Sequence, residues 1–198
     1  MRTNGPADLE LLAIWAGGDG EAGNQLIERH FAVVYRFFRN KVLDADIEDL
    51  AQQTFLACLE GRARFGARSS LVTFLLGIAR NQLFNYYRRR RRESVGGPVS
   101  SLLDLATSPT GAVARLEDAR LLIEALLQVP LDVQVILELA YVEGMAGNEI
   151  AEVLGIAAGA VHTRLHRARE SLRESLRTLA PDRIALAERV GELLTQEA

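Results

Sequence analysis

Apolar positions along this chain recur with a period near 3.6, and no stretch alternates with a period of two. Glycine, proline or an acidic turn closes each apolar block, so the pattern predicts an all-α protein. Leu9, Leu11, Leu12, Ile14 and Trp15 predict a first amphipathic helix after a frayed start over residues 1–8, and Gly17-Gly18-Asp19-Gly20 ends it. Asp19 is the expected cap of a second helix, near 21–42, with Leu26, Ile27, Phe31, Val34, Phe37 and Phe38 on one stripe. An acidic turn, Asp44 to Asp49, follows. Asp46 is the expected cap of a third helix from Ile47 to Glu60, carrying Leu50, Thr54, Phe55, Cys58 and Leu59. A basic loop, RARFGARSS, leads into a fourth helix from Leu71, whose face bears Phe74, Leu75, Ile78, Leu83 and Tyr86 and whose end is five consecutive arginines, Arg88 to Arg92.

The periodicity then lapses. Residues 94–111, SVGGPVSSLLDLATSPTG, read as a flexible linker, although Leu102, Leu103 and Leu105 are apolar for a solvated tether. Beyond it, helices are predicted over 112–128, with Leu116, Leu121, Ile123, Leu126 and Leu127, and over 132–142, with Val135, Ile136, Leu139 and Ala140, stopped by Gly144. Four regions result: 1–93, the linker 94–111, 112–178, and an amphipathic extension 179–198 with Ile184, Leu186, Val190, Leu193 and Leu194.

The most informative stretch is NEIAEVLGIAAGAVHTRLHRARESLRESL, from Asn148. A short helix bearing Ile150, Ala151 and Leu154 meets Gly155, where a left-handed backbone angle is cheap only for glycine. A longer helix follows, with Val161, Leu165, Ala168 and Leu172 on its apolar side and His162, Thr163, Arg164, His166, Arg167 and Arg169 opposite. This is the helix-turn-helix pattern, whose second helix enters the DNA major groove. A basic-faced helical hairpin of other purpose would show the same pattern alone.

Composition narrows the classes. The net charge of −3 opposes nucleic-acid binding at first sight, yet residues 1–95 hold 14 Lys/Arg against 11 Asp/Glu, and residues 96–198 hold 9 against 15. The local field of the arginine run is what a phosphate backbone would feel. A single cysteine, Cys58, excludes an intrachain disulfide and a cysteine-rich zinc site, fits a reduced cytoplasmic setting, and reads as a small core residue. No apolar run approaches the ~20 residues of a membrane span, and the N-terminus lacks a secretory signal pattern. Gly17 to Gly20 lacks the ending of a phosphate-binding loop, and no nucleophile–base pair stands at a useful spacing, so no enzyme and no cofactor is expected. His162 and His166 lie four apart but have no third ligand, so no metal is expected; His30 has no visible partner and reads as a surface residue.

Three motifs together resemble bacterial sigma factors of the sigma-70 family, in the small extracytoplasmic-function (ECF) group, over about residues 9–178. Asp46 to Leu59, DIEDLAQQTFLACL, is similar to the part of region two that binds the β′ clamp helices of RNA polymerase. Arg64 to Arg92 is similar to the part of region two that recognises and melts the −10 element. Pro130 to Leu172 is similar to region four, which reads the −35 element. The resemblance implies two small helical domains, a region-two bundle and a region-four helix-turn-helix, on a flexible linker. It implies polymerase contacts at Asp49, Gln52 and Phe55, the last expected as an exposed aromatic. It places Arg68, Ser69 and Ser70 in a loop that pockets a flipped base, Asn81 and Asn85 beside the −10 strand, and Arg88, Arg89, Arg90, Arg91 and Arg92 on phosphates. His162, Thr163, Arg164, His166 and Arg167 fall on the −35 recognition helix. The implied partners are core RNA polymerase (β′ clamp and β flap), promoter DNA and an anti-sigma factor, with no membrane insertion.

The chain departs from the family pattern at Phe74 (usually tryptophan), Gln53 (usually glutamate), Ala146-Gly147 (usually Ser-Tyr), Ala160 (usually threonine) and His162 (usually basic). Ala157 stands where a serine usually caps the recognition helix, forgoing about 1 kcal/mol. Two alternatives follow: a sigma-like decoy that titrates an anti-sigma factor, and a helix-turn-helix repressor. The arginine run and Asn81 argue against the decoy; the clamp motif and the linker argue against the repressor.

Overall fold

The computed structural model describes residues 6–65, 69–93 and 113–181, and among these the secondary structure is helical throughout, with no strand. The order is α1 (Pro6–Ala16), α2 (Gly20–Phe38), α3 (Asp44–Gly61) with a 3-10 turn at Arg62–Arg64, α4 (Leu71–Glu93), α5 (Val113–Gln128), α6 (Leu131–Leu137), a π-helical turn at Glu138–Val142, α7 (Gly147–Leu154) and α8 (Ala158–Leu179). They form two compact units: one holds α1–α4, the other α5, α6, α8 and the start of α7. The proposed linker and the extension beyond Pro181 lie outside the described residues, as does Arg68.

The first unit closes around large side chains that are essentially inaccessible: Leu26, Phe37 and Phe38 from α2, Ile47 and Leu50 from α3, and Leu71, Leu75, Leu76 and Leu83 from α4. Asp19 caps α2 as expected, its carboxylate accepting from the amides of Glu21 and Ala22. Gly23, one turn into α2, lets the Trp15 indole of α1 lie against the backbone; a Cβ there would sit 2.5 Å from the indole nitrogen. Glycine inside a helix costs about 1 kcal/mol relative to alanine, and the close helix crossing offsets it.

Three expectations for this unit need correction. The start of the chain is helical from Pro6, because Asp8 is 1 % exposed and pairs with Arg29 and, at 3.0 Å, with the His30 ring. His30 is therefore a core residue, 4 % exposed, and not a surface one. Its burial outweighs the raising effect of Asp8, so its pKa falls below the ordinary value. Its partner stands 22 residues away in sequence, in a stretch whose pattern suggests fraying. The third helix begins at Asp44, with Leu43 as an N-cap that makes no side-chain bond. Asp46 lies in its first turn, where it accepts from the Tyr86 hydroxyl at 2.7 Å. Acidic groups in a first turn are favoured by the helix dipole, which is why an apparent acidic turn is helix. Cys58 is fully buried and burial pushes its thiol up to about 12, as suits an inert core residue.

In the second unit Ala125, Val135, Ile136, Leu139, Ile150, Val161, Leu165, Ala168, Leu172 and Leu176 are buried. Ser175 of α8 donates to the Ala125 carbonyl of α5 at 3.0 Å. The helix expected over 132–142 is α-helical only to Leu137; a π-helical turn completes it, and Gly144 (φ 54°) reverses the chain. The wide turn adds a residue, and it presents Tyr141 to α8. Arg169 donates to the Tyr141 hydroxyl through Nε at 2.5 Å and is 7 % exposed. The expectation that Arg169 faces outward is thus wrong: it lies four residues after Leu165 and eight after Val161, on the apolar side of α8.

Candidate functional surfaces

On α3 the outward edge is polar at its start. Asp49 and Gln52 are exposed, and Gln53 donates to the Asp49 carboxylate at 2.6 Å. A glutamate at 53 would repel that carboxylate one helical turn away; the amide instead holds it in place. Phe55 is 3 % exposed, so the exposed aromatic expected there is absent. It lies four residues after Ala51 and five after Leu50, both buried, on the inner face. The exposed apolar group on this edge is Leu56, 49 % accessible and four residues after Gln52. Sequence reasoning missed it because an aliphatic residue between Phe55 and Cys58 reads as core.

The start of α4 is capped by Ser70, whose hydroxyl accepts the Thr73 amide at 3.0 Å and meets the Thr73 hydroxyl at 2.7 Å. Ser70 thus fixes the start of α4, and Ser69 precedes it; both are half-buried. Phe74 is half-buried and packs on Phe65, ring centroids 5.1 Å apart. Farther along α4, Asn81 and Asn85 are exposed on the same edge, at i and i+4. Arg88 donates to the side-chain Oδ1 of Asn85 at 2.7 Å. Arg80 lies over the Phe84 ring, 4.9 Å from its centroid. Arg80 was not among the residues expected from sequence; its i, i+4 spacing to Phe84 is the signal that could have found it. This edge offers amide groups, an aromatic–guanidinium pair and, at its C-terminal end, Arg88, Arg89, Arg91 and Arg92 exposed to solvent. Such groups suit unstacked bases and a phosphate backbone. Arg90 is half-buried and points elsewhere, to Tyr86.

The turn between α7 and α8 is closed by Gly155 (φ 65°), with the Ile156 amide donating to the Ala151 carbonyl at 3.0 Å. Glu149 accepts the Ala146 amide at 2.8 Å, half of a capping box whose hydroxyl half is missing because residue 146 is alanine. Ala157 caps α8 in extended conformation with no side-chain bond, as the sequence implied. His162, Thr163, Arg164, His166 and Arg167 are all exposed, on one side of α8. Among the described residues no group of three His, Cys, Asp or Glu is placed to hold a metal ion, and no helix is long and apolar enough to cross a membrane.

Family models match the same two segments: sigma-70 region 2 over residues 26–93 and sigma-70 region 4 over residues 119–172. RNA polymerase sigma factor CarQ of Myxococcus xanthus is 33 % identical over 163 residues, covering 80 % of this chain and 91 % of that protein. The chain belongs to the sigma-70 family of RNA polymerase sigma factors, in its ECF group. Another relative, the ECF sigma factor SigW of Bacillus subtilis, is 27 % identical over 173 residues, covering 82 % of this sigma factor and 92 % of that one. Among solved structures, sigma factor RpoE in complex with the anti-sigma factor NepR from Bartonella quintana matches with a TM-score of 0.62 and 25 % identity, covering 78 % of this chain and 96 % of that one. The region 2 match spans most of α2 together with α3 and α4, and the region 4 match includes the helix-turn-helix of α7 and α8. The family is one of specificity subunits and not of catalysts.

Proposed function

We propose that this sigma factor docks on the polymerase β′ clamp through Asp49, Gln52 and Leu56 of α3, with the Gln53–Asp49 bond fixing the carboxylate. In the cytoplasm the resulting holoenzyme recognises promoters with two readers. The α4 edge, with Asn81, Asn85 and the Arg80–Phe84 pair, captures unstacked bases of the −10 strand, together with Arg68, Ser69 and Ser70. The exposed arginines of the run hold phosphates. In region four, Thr163, Arg164 and Arg167, with His162 and His166, meet the −35 duplex, while contact with the β flap places that reader on the enzyme. An anti-sigma factor that covers these faces is the proposed regulator.

The observation that carries this reading is that both exposed polar faces, on α4 and on α8, belong to one chain whose two halves match sigma regions in family order. Free energy for strand opening then comes from base capture and counterion release, with no nucleotide hydrolysis. The deciding test is reconstitution with core polymerase on promoters taken from the transcripts that appear when the protein is overproduced. Promoter-specific run-off that needs both proteins supports the reading. Duplex binding by the chain alone would favour a repressor, and failure to bind polymerase would favour a decoy.

A further inference from the structure

The five arginines that end α4 are not equivalent. Arg88, Arg89, Arg91 and Arg92 are exposed, whereas Arg90 is half-buried. Its Nη1 donates to the Tyr86 hydroxyl one turn earlier, and its guanidinium carbon lies 5.4 Å from the Tyr86 ring centroid. Tyr86 is 7 % exposed and donates in turn to Oδ2 of Asp46, at 2.7 Å, in the first turn of α3. Burial, and then the Asp46 bond, raise the Tyr86 pKa, so the phenol keeps the proton it gives to Asp46. Beside this chain, the Tyr87 hydroxyl bonds the Lys41 carbonyl, and the two tyrosine rings meet edge to face at 5.5 Å.

The end of α4 needs such a brace. Leu83 is its last fully buried aliphatic residue, and ten residues follow it in the helix. Like charges three and four apart on a helix repel, and the run holds three such pairs: 88–91, 88–92 and 89–92. Asp46 supplies a negative charge close by, delivered through Tyr86 to the one arginine that turns inward.

We propose that Arg90 is a positioning residue: the Asp46–Tyr86–Arg90 chain fixes the rotation of the cationic end of α4 on α3, so that Arg88, Arg89, Arg91 and Arg92 meet phosphates and Arg90 does not. Asp46 stands three residues before Asp49, so the same brace sets the arginines in register with the helix assigned to polymerase. The inference rests on the assignment of α3 to polymerase and of α4 to the −10 strand.

The test uses the full chain with core polymerase on a promoter it opens. Arg89→Gln and Arg91→Gln are each expected to reduce the slope of log K against log salt by about 0.7–0.9 for each phosphate no longer neutralised. Arg90→Gln and Tyr86→Phe break the same brace and are expected to act alike: each leaves the affinity for core polymerase unchanged, lowers the yield of open complex severalfold, and changes the salt slope to the same extent as the other. A slope reduced by Arg90→Gln but not by Tyr86→Phe would overturn the proposal, because Arg90 would then sit on a phosphate. So would a lower Tm with open-complex yield unchanged at a temperature where both variants are folded, because the brace would then be structural alone. Failure of the unaltered protein to bind polymerase or open any promoter is seen before any variant is made, and it would remove the underlying assignment along with this inference.

Discussion

Serine in place of Ala157 is the sharpest local probe of the recognition helix. Ala157 is exposed, has φ −65° and ψ 140°, the extended geometry of an N-cap, and makes no side-chain bond. Of the first-turn donors, the Ala160 amide reaches only the Ala157 carbonyl, at 2.9 Å, in a tight three-residue turn. A serine hydroxyl at 157 accepts that amide or the Gly159 amide without moving the backbone. The gain for such a cap is about 1 kcal/mol, within a range of about 0.5–2. One kilocalorie is roughly a fivefold change in a local equilibrium. Ala157→Ser is therefore expected to slow hydrogen exchange of the Gly159 and Ala160 amides about fivefold in the intact protein. Gly159 has open space around the position of a Cβ, so Gly159→Ala should add up to about 1 kcal/mol more. If the start of α8 must order before it enters the groove, −35-dependent promoter affinity rises by no more than the same factor. Unchanged exchange in Ala157→Ser would refute the claim that this helix starts uncapped.

Asp8→Ala removes the partner of the buried His30 ring, and breaking those bonds should cost about 2–3 kcal/mol, read as a lower denaturant midpoint; an unchanged midpoint would mean α1 contributes nothing to region two. Because the folded-state pKa of His30 is depressed, its stabilising contribution is complete above the ordinary value of 6.5 and is lost as pH falls below it. The melting temperature of the unaltered protein should accordingly fall as pH drops below about 6.5, and His30→Gln should flatten that dependence. Leu56→Glu should weaken binding to core polymerase by about tenfold or more with the melting temperature unaltered, since Leu56 is already half-exposed; equal affinity would remove it from the interface. Asn81→Ala should impair promoter opening more than closed-complex formation, and equal loss in both steps would contradict base capture.

How far the sequence disclosed this molecule depended on whether the decisive contacts were local. The all-α class, the Asp19 cap, the Gly155 turn and the bare cap at Ala157 all follow from residues within a few positions of one another. Most of the outward faces of α4 and α8 was legible too, because a helix repeats its face every three or four residues, but Arg90 and Arg169 were placed on the wrong side. What escaped were pairings across long separations: Asp8 with His30, Asp46 with Tyr86, Tyr141 with Arg169. Each buries a polar group that looks solvent-facing until its partner is known. Phe55 and Leu56 exchanged places for a different reason. Neighbours on a helix differ by about 100° in direction, and aromaticity was weighed where the positions of Leu50, Ala51 and Cys58 should have decided.

In the proposed function one chain, bound to polymerase, both finds a promoter and holds its −10 strand open. Permanganate reactivity of unpaired thymines on a responsive promoter measures this directly. Reactivity is expected in the −10 region when this protein and core polymerase are both present, none with either alone, and a marked loss when Asn81 and Asn85 are both alanine. Thymines that stay unreactive with both proteins bound, or that react equally without this chain, would contradict it.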